Sequence, residues 1–132
     1  MSMEFLQPAD WPQPVGYANG VSAAGRLVFV SGQVGWDAQH VFRTSDLVEQ
    51  VRQALDNVLT VLAEAGAGPQ DIVRMNWYLV DKQEYKTRRK EIGEIYRRCM
   101  GRHYPAMTVV EVCSFIEEGA RVEIEVTAVV AS

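Results

Sequence analysis

A chain of 132 residues, 48% apolar and 23% charged, can bury a real core, and it holds no apolar run of eighteen or more to span a bilayer. The net charge of −4 argues against nucleic acid or an anionic membrane as a general partner. Cys99 and Cys113 lack CxxC spacing, and His40 and His103 are isolated loop or surface histidines. A metal site and a histidine-based triad are therefore not expected, and the thiols read as free in a reducing cytosol.

The first fourteen residues, MSMEFLQPADWPQP, hold three of the five prolines and have no basic start before an apolar run. They read as an irregular lead-in rather than a signal peptide. Two short strands follow, GYANGVSAA and RLVFVSGQV, broken at Gly25; the second ends in Ser31-Gly32-Gln33 before the loop VGWDAQH. Asp46, with Glu49 three residues on, opens a helix in capping-box fashion. Leu47, Val51, Leu55, Val58, Leu62 and Ala65 form its stripe, and Gly66, Gly68 and Pro69 end it.

DIVRMNWYLVD is the next strand. Asp81 and Glu84 repeat the capping spacing for a second helix reaching about Cys99, with Tyr85, Ile92, Ile95, Tyr96 and Cys99 as its stripe. Gly93 inside it costs about 1 kcal/mol against alanine, which suggests close packing there. RHYPAMTVVEVCSF then forms a strand with apolar residues on both faces: Met107, Val109, Glu111 and Cys113 on one, Ala106, Thr108, Val110 and Val112 on the other. In the last strand, within 120–131, Val122, Ile124, Val126, Ala128 and Val130 oppose Glu123, Glu125 and Thr127.

The order β-β-α-β-α-β-β predicts an α+β fold with two helices on one face of a mixed sheet. The doubly apolar strand asks for a cover on the other face, and a further subunit would supply it.

Four features could carry chemistry. Glu123, flanked by Val122 and Ile124, would have a raised pKa at a covered surface and could serve as acid or base; pattern alone favours a solvated strand face. Ser31-Gly32 at a strand end could offer backbone N–H groups to an oxygen anion, although a tight turn explains it equally simply. Trp36, Trp77 and Tyr78 could line a pocket, but aromatics in strands are more often core or interface. Lys86, Arg88, Arg89, Lys90, Arg97 and Arg98 could meet phosphates, yet Glu84–Arg88, Lys90–Glu94 and Glu94–Arg98 sit at i,i+4, as on a solvated, self-paired helix.

Together GYANGV, VSGQVG, QVRQALDNVLTVLAEAG, DIVR, YPAMTVVEV and VEIEVTAV resemble the Rid superfamily, the reactive-intermediate deaminases also called the YjgF or L-PSP endoribonuclease family. The likeness covers residues 15–130 with motifs in order, and implies a single Rid-type domain over 1–132. It also implies a chorismate-mutase-like α+β fold, a cytoplasmic homotrimer whose sheets meet in a central barrel, and clefts between subunits. The best-understood members hydrolyse imines or enamines such as 2-aminoacrylate there, without metal or organic cofactor. By the resemblance Glu123 is the catalytic glutamate that handles water, and Tyr17, Ser31 and Gly32 contact the substrate.

One position departs from the family. The deaminating members follow this Pro-Ala with an arginine that clamps the substrate carboxylate, whereas here Pro105-Ala106 precedes Met107. Methionine offers a flexible apolar wall and no donor. Arg89 stands where the family often keeps an asparagine at the cleft, and could supply a replacement charge. The expected substrate-binding positions are thus Tyr17, Ser31, Gly32, Arg89, Met107 and Val109. The expected function is hydrolysis of an imine, enamine or related intermediate other than by the standard 2-aminoacrylate deaminase site. A non-catalytic metabolite-binding trimer is the alternative, and an RNA-cleaving or translation-inhibiting protein the least supported.

Overall fold

The computed structural model describes residues 3–131. Its sheet holds four strands in the order β3 (Arg26–Val34), β6 (Val122–Val130), β4 (Ile72–Leu79) and β5 (Ala106–Glu111). β6 runs antiparallel to both β3 and β4, and β4 pairs parallel with β5, so the sheet is mixed. A separate ribbon joins β1 (Glu4–Leu6) to β2 (Gly20–Ser22). The helices are α1 (Leu47–Glu64), α2 (Lys82–Thr87) and α3 (Arg89–Met100).

The expected α+β architecture is present, with helices against one sheet face. α1 forms as its pattern predicts: Leu47, Val51, Leu55, Val58 and Leu62 are all buried. The Asp46 carboxylate accepts the Glu49 N–H at 3.0 Å. The reciprocal half of the capping box is not made, because Asp46 N–H goes to Thr44 Oγ1 and Glu49 pairs with Arg52. α1 packs over β3 and β6, and Val122, Ile124, Val126 and Ala128 of β6 close the core beneath it.

Gln50 is wholly buried on α1. Its amide donates to the carbonyls of Thr44 (2.9 Å) and Gly119 (2.8 Å), and its oxygen accepts Arg121 N–H at 2.8 Å. This one side chain ties the loop before β6 to the helix, satisfying groups that burial would otherwise strand.

Four expectations change. The lead-in is not wholly irregular, since Glu4–Leu6 pairs with Gly20–Ser22 and Asn19 Nδ2 donates to Gln7 Oε1 at 2.8 Å. The predicted strand through Gly16 and Tyr17 shrinks to Gly20–Ser22. The second helix breaks at Arg88 (φ −110°, ψ 20°), where Thr87 Oγ1 bonds back to the Glu84 carbonyl. The i,i+4 pairing also fails: Arg88 reaches Asp46 and Glu91, while Glu84 pairs with Arg121.

β5 lies at the sheet edge and ends at Glu111, before Cys113. Met107 and Val109 pack against the core on the helix side, and Val110 is 42% exposed. On the opposite sheet face Leu27 and Phe29 are 59% and 71% exposed. No helix is long and apolar enough to cross a membrane among the described residues.

Candidate functional site

The predicted site residues fall into two sets on opposite faces of the sheet. Register places Met107 beside Met75 and Val109 beside Trp77, so these side chains face the helices. They line a cavity of about 690 Å³ between β5 and the α2–α3 pair. Tyr17 and Arg89 line the same cavity. Tyr17 is delivered by the segment beside the β5 edge, where Ala18 N–H bonds the Pro105 carbonyl at 2.9 Å. Arg89 comes from the start of α3, its Cζ 5.7 Å from the Tyr85 ring centroid.

Ser31, Gly32 and Glu123 belong to the other face. Ser31 sits at the irregularity between Val30 and Gln33, lining a hollow with Phe29, Asn76 and Glu125. Gly32 lies directly against the Glu123 side chain: a Cβ there would fall 2.7 Å from Glu123 Cδ. Only glycine permits that approach without displacing the carboxylate.

Two carboxylates two residues apart on β6 have different surroundings. Glu125 accepts the Tyr78 hydroxyl and, at 3.2 Å, the Asn76 amide. Glu123 has no hydrogen-bond partner among the described residues. Burial, followed by repulsion from Glu125 and Glu117, holds its pKa above the ordinary carboxylate value. The contact with Glu125 raises the Tyr78 hydroxyl's pKa. Glu123 is thus the carboxylate with free lone pairs, able to hold and deprotonate a water, while Glu125 is committed to its neighbours.

Sequence reasoning left Asn76 and Glu125 unassigned and kept Tyr78 as a core or interface aromatic. Their spacing on β4 and β6 was visible, but their meeting depends on strand register. Trp77 is core, 2% exposed, and forms part of the cavity wall. Trp36 stacks on His40 in a loop, their centroids 4.1 Å apart, away from both sets. His103 is half-buried, its Nε2 2.7 Å from the Ile72 carbonyl oxygen. Gly93 marks space rather than tight packing, since a Cβ there would meet only Arg97 Nη1 at 3.4 Å. Among the described residues no cluster of three or more His, Cys, Asp or Glu could hold a metal ion.

Comparison with known proteins places the chain. The Endoribonuclease L-PSP family matches residues 10–130. A RutC family protein of Pyrococcus abyssi is 29% identical over 129 residues, spanning 97% of this chain and 98% of its own. The human 2-iminobutanoate/2-iminopropanoate deaminase is 26% identical, spanning 94% of this chain and 88% of its own. The crystal structure of YyfB, a Rid-family protein of unknown function from Yersinia pestis, superposes with a TM-score of 0.87 at 29% identity, over 98% of this chain and all of that one. The chain belongs to the Endoribonuclease L-PSP family, within the Rid superfamily.

Proposed function

We propose that the protein hydrolyses the C=N bond of a small reactive imine, or of the imine tautomer of an enamine, in a cleft completed by a second copy of the chain. The observation that carries this reading is Glu123: a carboxylate against Gly32 with no hydrogen-bond partner among the described residues and a raised pKa. The human relative's name, an iminobutanoate and iminopropanoate deaminase, supports the reaction class. The second copy is inferred because one chain puts Glu123 and the Tyr17–Met107 cavity on opposite sheet faces. The exposed Leu27 and Phe29 beside the Glu123 set supply apolar surface for the contact. The family resemblance supports a trimer as that assembly.

In this reading Glu123 takes a proton from water as the oxygen attacks the imine carbon, and the π pair moves to nitrogen. The proton passes to nitrogen, giving a carbinolamine. Loss of the hydroxyl proton to Glu123 and its return to nitrogen break the C–N bond. Ammonia leaves and the carbonyl product remains. Tyr17 and the strand end at Ser31-Gly32 orient the substrate, while Met107 and Val109 form an apolar wall.

The test is keto-acid and ammonia release from 2-aminoacrylate generated in situ. Glu123→Gln should abolish any turnover, and Met107→Arg should raise the rate on this carboxylate substrate by about tenfold or more through a charge-assisted clamp. Full turnover by Glu123→Gln would remove Glu123 from the chemistry.

A further inference from the structure

The cavity beside Met107 is open on the single chain, and aromatic residues stand among the apolar side chains that border it. Trp77, Tyr85, Tyr96 and Tyr104 line it. Tyr96 stacks on Tyr104 with centroids 5.3 Å apart, and Trp77 meets Tyr85 edge-on at 6.4 Å. Its volume of about 690 Å³ on one chain leaves room for a ring beside a small acid group.

The rim carries four cations against one carboxylate. Lys82, Lys86, Arg89 and Arg97 border the cavity, and Glu111 is the carboxylate among its lining residues. Glu111 is engaged, its Oε2 accepting Lys82 N–H at the start of α2 at 2.9 Å. None of the four cations makes an ion pair among the described residues: Asp46 and Glu91 pair with Arg88, and Glu84 pairs with Arg121. A chain of net charge −4 therefore gathers unpaired positive charge around one aromatic hollow. Arg89 lies over Tyr85, which holds its guanidinium at the wall.

We propose that this cavity binds an organic anion with an aromatic body, its carboxylate held by Arg89 with support from Lys86 and Arg97, and its ring against Tyr85, Tyr104 and Met107. The assignment rests on reading the cleft as a substrate site, and it names the substrate class. The anionic end is gripped from α3 instead of from β5, so Met107 is free to pack against the ring.

Three unreactive probes separate charge from shape by calorimetry on the intact protein: 3-phenylpropanoate, its neutral amide 3-phenylpropanamide, and propanoate. The aromatic anion should bind about tenfold or more tighter than either control, and added salt should narrow its lead over the amide. Arg89→Gln should bring 3-phenylpropanoate down to the amide's affinity. The double variant Lys86→Gln/Arg97→Gln should weaken it less, and both changes lie on exposed side chains. Equal binding of propanoate or of the amide overturns the assignment, as does unchanged affinity in Arg89→Gln. Probe binding without hydrolysis of any imine would sink the hydrolase reading alone, and hydrolysis of small imines without probe discrimination would sink the aromatic-anion assignment alone.

Discussion

At the scale of single residues, Glu123 joins chemistry to a cost in stability. Its pKa lies above the ordinary carboxylate value because burial, Glu125 and Glu117 all disfavour the charge. If the carboxylate is the base, kcat/KM should fall as pH drops through that raised value, placing the acid limb above the normal carboxylate range. The stability sign is the reverse of a salt-bridged acid. The folded state holds the proton longer than the unfolded chain, so wild type loses stability as pH rises from the unfolded pKa through the folded one. Glu123→Gln has no such loss. Relative to wild type it should be more stable at neutral pH, by an amount that solvent screening keeps small. That gain should vanish in acid. Thermal unfolding across pH checks it, and a variant less stable at pH 7 than wild type would contradict the account. The candidacy of Glu123 was legible from VEIEV and the family resemblance. Its difference from Glu125 was not, because Tyr78 and Asn76 come from another strand.

At the scale of elements, local pattern predicted what local forces decide. The α1 stripe, its Asp46 cap and the alternation of β6 were all readable, since each depends on neighbours within a few residues. The break at Arg88 and the β1–β2 ribbon were not, because their partners lie far along the chain: Arg88 reaches Asp46, and Glu4 pairs with Ser22. Charge spacing misled for the same reason at Glu84, which is drawn to Arg121 near β6 instead of to Arg88. Gln50 carries no local signal that marks it, yet it links α1 to the chain entering β6. Gln50→Leu keeps the approximate size but leaves two carbonyls and one N–H without their partner. A loss of about 3 kcal/mol in unfolding free energy is expected by denaturant titration. A loss below about 0.5 kcal/mol would show that these groups find other partners without cost.

At the scale of the whole molecule, the division of the site makes a demand that neither sheet face makes alone. The cavity set of Tyr17, Arg89, Met107 and Val109 faces the helices, and the set of Ser31, Gly32 and Glu123 faces outward. If the proposed cleft takes one set from each of two adjoining copies, damage to the two sets should complement between chains. Tyr17→Ala and Glu123→Gln homo-oligomers should each be inactive. Co-refolding equal amounts leaves one contact in four with an intact cavity from one chain and an intact glutamate from its neighbour, so about a quarter of wild-type turnover should return. A site complete within one chain predicts no recovery, because every chain in the mixture carries a lesion. The same mixture should show no recovery when both lesions are placed on one chain and combined with itself, which controls for refolding. Recovery near one quarter would also show that the open face bearing Leu27 and Phe29 is covered in solution by a copy of this chain, because that face brings Glu123 to the cleft.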